Sequence, residues 1–291
     1  MRPLALAILL IGAAALGGCS GGVLDPKGPI ASAERLILLN SLGIMLAIVI
    51  PTIVATLGVA FWFRASNERA RYMPDFTYSG RLEMLVWSIP IMTVLLVGGV
   101  TWIGSYELDP PKPIASAVKP VRVQVVSLDW KWLFIYPDQG IATVNQLIVP
   151  VGTPISFELT SSGVMNSFFV PQLGGQIYTM AGMVTRIHLL ADHVGTYRGM
   201  SANYSGAGFS DMVFNTDAVP AERFAAWVTA ARSGPMLDAQ SYAALAKPSK
   251  AVAPLTFGAV APGLFGKIVS SVGTPQQASR SVSPTSQRAE K

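Results

Sequence analysis

The stretch LILLNSLGIMLAIVIPTIVATLGVAFWF, from Leu36 to Phe63, contains 28 residues without a charge and decides the architecture of this chain. A second uncharged stretch of 23 residues runs from Met84 to Tyr106. Each is longer than the about 20 residues that a helix needs to cross the hydrocarbon core of a bilayer. The sequence therefore predicts transmembrane helices over 36–63 and 84–106, which form a hairpin joined by a loop at 64–83.

The composition of the whole chain agrees with a protein that lies partly in lipid. Of its 291 residues, 51% are hydrophobic and only 13% are charged, whereas soluble domains carry about 25% charged residues. The net charge of +5 comes without a long run of Lys or Arg, so nucleic-acid binding is not supported. One Cys cannot form an internal disulfide, and two His cannot supply several metal sites.

Residues 1–18 have the features of a secretory signal peptide, with Arg2 followed by an apolar stretch from Leu4 to Leu16. The sequence LGGC at 16–19 resembles the lipobox of bacterial lipoproteins, in which the Cys becomes the lipidated first residue of the mature chain. This resemblance implies that Cys19 carries acyl chains such as palmitate. The alternative is a small buried Cys in an ordinary signal peptide or first membrane helix.

The distribution of Arg and Lys predicts the orientation of the hairpin. The loop at 64–83 has a higher density of these residues than either outer flank, with Arg64, Arg69, Arg71 and Arg81. By the positive-inside rule the loop faces the cytoplasm. We therefore expect a bacterial inner-membrane protein with two spans, whose N-terminal segment 19–35 and C-terminal domain lie in the periplasm.

After a Pro-rich linker at 107–118, the pattern changes to the alternation of half-buried strands. Val121, Val123 and Val125 alternate with polar residues, and turn signals recur at short intervals. This pattern predicts an antiparallel β-sandwich over 119–217. Two short helices are predicted within 218–248, the first with Phe224, Trp227, Val228 and Ala231 on one face. The remaining segment 249–291 is expected to be a largely disordered tail.

Two segments of the predicted sandwich, VMNSFFVP at 164–171 and YRGMSANYSGAGFSDM at 197–212, resemble two loops of subunit II of the haem-copper oxidases. Further matches lie at 129–137, 140–145 and 176–183. That family has a two-helix membrane hairpin and an exported cupredoxin domain, so the resemblance covers roughly residues 36–217. It implies a membrane α plus all-β fold: a two-helix transmembrane hairpin, a periplasmic cupredoxin-like β-sandwich and short C-terminal helices.

In family members that oxidise cytochrome c, these two loops hold a dinuclear copper centre whose ligands include two His, two Cys and a Met. Matched position by position, the degenerate copper-site positions in this chain are Asn166, Ser201, Asn203, Ser205, Phe209 and Met212. Only Met212 keeps its ligand type. Copper electron-transfer sites need a thiolate and imidazoles, and a serine hydroxyl is neither soft nor ionised at neutral pH. No metal is therefore expected in this chain. His188 and His193 lie outside both loops and are interpreted as surface or turn residues.

Loss of the copper ligands, with the flanking residues kept, resembles the quinol oxidase branch and its bo-type ubiquinol oxidases. This resemblance implies a non-catalytic subunit of a proton-pumping complex that oxidises ubiquinol and reduces oxygen to water. The expected partners are subunit I, which would carry the haems and copper, further small membrane subunits, the membrane and the ubiquinol pool, but neither nucleic acid nor cytochrome c. The alternatives are a periplasmic lipoprotein scaffold and an electron carrier of cupredoxin type, and the missing ligands count against the carrier.

Two further positions have more than one interpretation. Trp130 matches the aromatic residue that passes electrons to copper in the copper-bearing relatives. Without an acceptor metal, Trp130 and Trp132 are interpreted as packing and partner-contact residues. Glu83 begins the second span on the cytoplasmic side. It is either an acid stabilised by the positive end of a helix dipole or the mouth of a proton channel that runs through the partner subunit.

Overall fold

The computed structural model describes residues 21–71 and 73–271. The predicted signal peptide at 1–18, Cys19 and the end of the tail from residue 272 onward lie outside the described residues. Within them, two long helices precede two packed β-sheets, and short helices follow the sheets. The predicted order of a helical hairpin, a β-sandwich and short C-terminal helices is confirmed.

Helix α1 spans Pro29–Trp62 and helix α2 spans Gly80–Glu107. Both are long and apolar enough to cross a membrane, and the side chains of their apolar windows are not buried within the chain. At 1.5 Å per residue they are about 51 Å and about 42 Å long, whereas the hydrocarbon core is about 30 Å thick. Both helices are therefore longer than the hydrocarbon core is thick. The first turns of α1, which contain Glu34 and Arg35, precede the apolar span that begins at Leu36.

The two helices approach each other closely where Gly104 of α2 faces Ile37 of α1. A Cβ atom on residue 104 would meet Cδ1 of Ile37, so a larger side chain would require Ile37 to change its rotamer or the helices to separate. Gly104 is buried, although most of α2 is exposed in the isolated chain. Close packing at small residues is typical of membrane helix pairs, in which van der Waals contact rather than the hydrophobic effect holds the helices together.

The domain that follows α2 contains two main sheets and a small third one. The first has the strand order β12-β3-β2-β1-β5-β8, the second has the order β4-β10-β9-β6-β7, and the third pairs β11 with β13. The strands are β1 Val121–Leu128, β2 Lys131–Tyr136, β3 Ile141–Val144, β4 Gln146–Pro150, β5 Ile155–Ser161, β6 Asn166–Phe169, β7 Gln176–Thr179, β8 Thr185–Leu189, β9 Gly195–Ser201, β10 Val213–Val219, β11 Met236–Leu237, β12 Leu255–Phe257 and β13 Ala259–Val260. The short helices are α3 Ala221–Ala231, α4 Ala239–Leu245 and α5 Leu264–Ser271.

The sheets are mixed, so the expectation of an antiparallel sandwich is wrong for two strand pairs. Strand β1 pairs with β5 in parallel, and β4 pairs with β10 in parallel. The other neighbours in the two main sheets are antiparallel. Turn signals in a sequence report the hairpins between consecutive strands. The direction in which two strands distant in sequence meet does not follow from those signals.

Four aromatic rings join the two main sheets. Trp132 and Phe134 come from β2, Phe168 from β6 and Phe214 from β10. The rings of Phe168 and Phe214 stack with their centroids 5.3 Å apart, and the ring of Trp132 meets them edge-on at 5.5 and 5.8 Å. Such aromatic pairs contribute about 0.5–1.5 kcal/mol beyond the burial of their area. Because β6 and β10 adjoin the two loops identified from the sequence, this core also fixes the positions of those loops.

The segment 255–271 has regular secondary structure, so the expectation of a largely disordered tail over 249–291 is wrong for these residues. Strand β12 extends the first sheet by pairing with β3, and α5 buries Leu264, Phe265 and Ile268. These side chains cover the outer face of the first sheet, where Leu133 and Ile135 of β2 lie. Strand β2 is consequently buried on both faces. The sequence pattern did not indicate this cover because its elements are only two to eight residues long.

Lys131 joins strand β2 to the chain that follows α4. Its Nζ atom donates hydrogen bonds to the backbone oxygen of Lys247 at 2.8 Å, to Oγ of Ser249 at 2.7 Å and to the backbone oxygen of Asp129 at 3.3 Å. The residue is only 1% exposed. Burial lowers the pKa of the Lys131 ammonium group, and the negative charge of Asp129 opposes that shift. Three hydrogen-bond acceptors therefore offset the free-energy cost of removing this ammonium group from solvent.

The chain before α1 is fixed to the sandwich. The backbone N–H of Lys27 donates to the oxygen of Gln172 at 2.7 Å, and the N–H of Asp192 donates to the oxygen of Lys27 at 2.8 Å. Gly28 lies so close to the backbone that a Cβ atom there would meet the oxygen of Leu190 at 2.1 Å. The start of α1 and the sandwich are therefore held together by backbone contacts that no side-chain pattern reveals.

His188 of β8 fixes the chain after α2. Its backbone N–H donates to the oxygen of Pro110 at 3.1 Å, and its ring atom Nδ1 lies 3.4 Å from the same oxygen. Because a carbonyl can only accept, Nδ1 carries the hydrogen in this contact. Nε2 then accepts from Oγ of Ser156, 3.2 Å away. This histidine connects the linker to the sandwich and is half-buried.

Replacing Lys131 with Met keeps most of the side-chain volume but removes three hydrogen bonds, two to Lys247 and Ser249 of the C-terminal segment and one to Asp129. We expect Lys131→Met to lower the free energy of unfolding by about 1–3 kcal/mol, because partly buried acceptors are left without their donor. The matched control is Lys119→Met at an exposed lysine, for which we expect a change within about 0.5 kcal/mol. Denaturant unfolding of the full chain in mild detergent measures both. Equal midpoints for the two variants would contradict a stabilising role for Lys131.

Candidate functional site

The two loops identified from the sequence meet at one end of the second sheet. Strand β6 pairs antiparallel with β9, which places Phe168 opposite Ser201. The backbone N–H of Ala202 donates to the oxygen of Ser167 at 2.9 Å, and the N–H of Ser201 donates to the oxygen of Met212 at 3.0 Å. The structure thus brings together the positions that the resemblance assigned to a degenerate copper site.

Hydrogen bonds connect three of these positions. Oγ of Ser201 lies 3.1 Å from Oδ1 of Asn166 and 3.2 Å from the backbone oxygen of Asn203, so its single hydrogen is directed to one of these acceptors at a time. Nδ2 of Asn203 donates to the oxygen of Met165 at 3.2 Å. Asn166 and Ser201 are 2% and 5% exposed. The polar groups at the former ligand positions are therefore engaged with each other and with the loop backbone.

The remaining positions lie along the second loop. Oγ of Ser205 donates to the sulfur of Met212 at 3.9 Å, and Met212 is buried in the core. The ring of Phe209 packs edge-on against Tyr204, with the ring centroids 5.6 Å apart. Phe209 also begins a short 3-10 turn, Phe209–Asp211. The backbone hydrogen bonds at the end of this turn tighten the loop before β10. An aromatic contact therefore occupies the position that the resemblance matches to the second His.

Trp130 holds the second loop in place. Its Nε1 atom donates to the backbone oxygen of Ser205 at 3.1 Å, and its ring lies so close to Gly208 that a Cβ atom there would be 2.3 Å from Cδ2. Trp130 has a φ of 63°, in the left-handed region that side-chain-bearing residues rarely adopt. The packing interpretation of Trp130 thus corresponds to a specific contact, between the β1–β2 turn and the loop at 205–208.

Trp132 has a different environment from Trp130. It is 0% exposed and contacts Phe168 and Phe214 in the aromatic core. The interpretation of Trp132 as a partner-contact residue is therefore wrong, because no atom of its side chain reaches the surface. Alternation along β2 could have indicated this, since Trp132, Phe134 and Tyr136 share the face that points between the sheets.

The residues present do not fit a copper centre. They offer amide and hydroxyl oxygens and one thioether, whereas copper electron-transfer sites need thiolate and imidazole donors. The carboxamide of Asn166 and the hydroxyl of Ser201 are already hydrogen-bonded to each other. Within residues 21–71 and 73–271, no three His, Cys, Asp or Glu side chains lie close enough to hold a metal ion. His188 and His193 contribute to other contacts, with Pro110 and Tyr197 respectively.

Glu83 lies in the first turn of α2, at the opposite end of that helix from the sandwich. Its backbone N–H donates to the oxygen of Ser79 at 3.0 Å, and its side chain is exposed in the isolated chain. The position agrees with both interpretations made from the sequence. A carboxylate in the first turn interacts favourably with the helix dipole, and an exposed carboxylate at the membrane edge can also collect protons.

Two family descriptions match the chain. Residues 97–219 match the periplasmic domain of cytochrome c oxidase subunit II. Residues 232–276 match the COX aromatic rich motif. The first range contains the two loops and all strands from β1 to β10. The second contains the segment that covers the outer face of the first sheet.

Curated relatives are similar over most of the chain. The chain is 49% identical over 255 residues to cytochrome bo(3) ubiquinol oxidase subunit 2 of Pseudomonas aeruginosa, covering 87% of this chain and 77% of that protein. It is 50% identical over 257 residues to ubiquinol oxidase subunit 2 of Acetobacter aceti, covering 87% and 83%. Among solved structures, the periplasmic domain of subunit II of cytochrome oxidase from Bradyrhizobium japonicum is 21% identical, with a TM-score of 0.39, over 41% of this chain and 98% of that chain.

Restoring the lost donors tests whether the two loops keep the geometry of a copper site. The test variant keeps Met212, keeps Asn203 or replaces it with Glu, and carries four changes: Asn166→His, Ser201→Cys, Ser205→Cys and Phe209→His. We expect this variant to take up copper stoichiometrically and to develop thiolate-to-copper absorption. The control carries the two His substitutions alone and should bind copper weakly, because no thiolate is present. Failure of the four-position variant to bind copper would show that the loops are not juxtaposed as described.

Proposed function

Because the chain belongs to the family of subunit II of the ubiquinol oxidases, we propose that it is the non-catalytic subunit of a proton-pumping complex that couples ubiquinol oxidation to the reduction of oxygen to water. The proposal is supported by relatives at 49% and 50% identity that are named ubiquinol oxidase subunits. The observation that carries it is the pair of loops at 164–171 and 197–212. They keep the surroundings of the copper site but join Asn166 to Ser201 by a hydrogen bond where metal ligands would stand.

The metal-ligand atoms that this chain offers explain why a quinol is proposed as the electron donor. A soluble electron-donor protein would need an acceptor near the periplasmic face, and the hydroxyl, amide and thioether groups of this chain cannot hold one. A quinol dissolved in the membrane reaches the partner subunit directly. The haems and copper would lie in that partner, subunit I. An electron carrier of cupredoxin type would need the donors that this chain has lost.

The hairpin and the sandwich suit a subunit that scaffolds and caps subunit I. Both membrane helices have apolar side chains that are exposed in the isolated chain and need a lipid or protein environment. The backbone contacts of Lys27 with Gln172 and of His188 with Pro110 fix the sandwich above the ends of these helices. A rigid domain held in this way can cover the periplasmic face of a partner that packs against the hairpin.

A lipid anchor at Cys19 fits the position of the N-terminal segment. Cys19 lies outside the described residues, but Asp25 is only six residues away and accepts hydrogen bonds from Gln172 of the sandwich. Six residues span at most about 21 Å when fully extended. Acyl chains on Cys19 would therefore enter the outer leaflet close to the point where α1 does, on the periplasmic side of the inner membrane.

Substrate choice tests the proposed function directly. We expect the purified complex to consume oxygen with ubiquinol as electron donor and to oxidise reduced cytochrome c negligibly, because Asn166, Ser201, Ser205 and Phe209 cannot hold an acceptor metal. Oxygen uptake with each donor measures this, with a copper-bearing cytochrome c oxidase as the positive control for the second donor. Brisk oxidation of cytochrome c by the complex would contradict the assignment.

The lipid anchor is tested by Cys19→Ser. We expect this change to abolish acylation and the accompanying cleavage, whereas the neighbouring Ser20→Ala leaves both intact. Membrane insertion should persist in both variants, because two apolar spans anchor a protein far more strongly than acyl chains do. Mass spectrometry of the purified chain gives the mass and the N-terminal residue. An unmodified N-terminus at another residue in the unchanged protein would refute the anchor.

The two interpretations of Glu83 are separated by Glu83→Gln. If Glu83 lies at the mouth of a proton channel, we expect quinol oxidation to slow several-fold while assembly of the complex is unchanged, because the variant cannot take up a proton there. The matched control is Glu68→Gln in the loop that precedes α2, which should leave turnover unchanged. If Glu83 only stabilises the helix dipole, its loss costs about 0.3–1 kcal/mol of stability and turnover stays at the level of the control.

A further inference from the structure

A groove at the cytoplasmic end of the hairpin combines positive charge with apolar walls. It encloses about 910 Å³ between the last turn of α1, the connecting loop and the first turn of α2. Three guanidinium groups line it, those of Arg64, Arg69 and Arg71, and the described residues of its lining include no carboxylate. These arginines indicate the orientation of the hairpin, and the proposed function does not involve them.

Aromatic side chains form much of the remaining wall. Trp62, Phe63 and Phe76 line the groove, and each is more than half exposed in the isolated chain. A basic loop that was merely solvated would not need an apolar wall beside its charges. Because Trp62 and Phe63 lie at the end of a membrane-spanning helix, this wall continues the lipid-facing surface of α1.

Local hydrogen bonds shape the loop around the groove. The guanidinium group of Arg64 lies 4.0 Å from the ring centroid of Phe61 and donates to the backbone oxygen of Phe61 at 3.0 Å. Asn67 donates from Nδ2 to the oxygen of Trp62 and accepts at Oδ1 from the N–H of Arg69 at 3.2 Å. These contacts satisfy carbonyl groups at the C-terminal end of α1 and fix the backbone from which Arg69 projects.

Arg69 and Arg71 are not neutralised by the loop itself. Among the described residues, neither has a carboxylate within ion-pair distance, although Glu68 is adjacent in sequence. Basic pockets at the cytoplasmic ends of membrane helices attract anionic lipid headgroups, and each Lys or Arg near the surface contributes about fivefold to the affinity. A free phosphate ion would use the charges but not the aromatic wall.

We propose that this groove binds one anionic phospholipid of the cytoplasmic leaflet, with Arg69 and Arg71 holding the phosphate and the acyl chains lying along Trp62 and Phe76. The charge of the lining and the apolar wall both match this occupant. The proposal rests on the cytoplasmic orientation of the loop and is independent of the electron donor that the complex uses.

The test uses the purified complex in phosphatidylethanolamine vesicles that contain a small fraction of photoactivatable phosphatidylglycerol. We expect crosslinks within 59–82, reduced about fivefold by Arg69→Gln and by Arg71→Gln. The matched control, Arg81→Gln, removes the same charge from the adjoining first turn of α2, outside the groove, and should leave the crosslinks unchanged. Quinol oxidation by each variant, measured in parallel, confirms that the complex is intact.

Three results would overturn the proposal. Equal crosslinking of a photoactivatable phosphatidylethanolamine would show that the headgroup charge is not recognised. An equal loss in Arg81→Gln would show a general surface effect rather than a site. Release of the lipid probe by excess inorganic phosphate, at constant ionic strength, would show a site for free anions.

Discussion

Strand β2 is buried on both faces, and the rest of the exported domain is positioned against it. One face contributes Trp132 and Phe134 to the aromatic core between the sheets. The other face contributes Leu133 and Ile135 to a second apolar layer, which α5 covers. The turn before β2 carries Trp130, whose contact with Ser205 holds the second loop. A single strand therefore couples the core, the C-terminal segment and the two loops at 164–171 and 197–212.

If the chain holds no copper, as proposed, this coupling explains how the loops can keep their shape. In a copper-bearing relative, coordinate bonds tie the two loops together. Here the ties are hydrogen bonds, from Ser201 to Asn166 and from Ser205 to Met212. Each contributes only about 0.5–1.5 kcal/mol, much less than a metal site can supply. Most of the loop geometry must then come from the strands on which the loops are mounted, and those strands are held by the aromatic core.

The order of the elements could be predicted from the sequence, but the contacts that hold them together could not. The two spans were predictable because lipid demands about 20 uncharged residues in a row, and the loops were recognised from their residues. The parallel pairing of β1 with β5 was not predictable, because nothing in local alternation reports the partner of a strand. The cover formed by Leu264 and Phe265 could not be predicted because its strands and helix are only two to eight residues long, too short to show a clear period. The contacts of Lys27 and Gly28 use backbone atoms, which carry no side-chain signal.

The copper dependence of stability tests most directly the claim that protein contacts have replaced the metal. The unfolding midpoint of the unmodified full chain in mild detergent should be the same with one equivalent of copper as with a strong chelator, and desalting should leave no bound copper. A ligand that binds only the folded state would raise the midpoint. A copper-dependent increase in the midpoint, together with stoichiometric copper after desalting, would contradict the account.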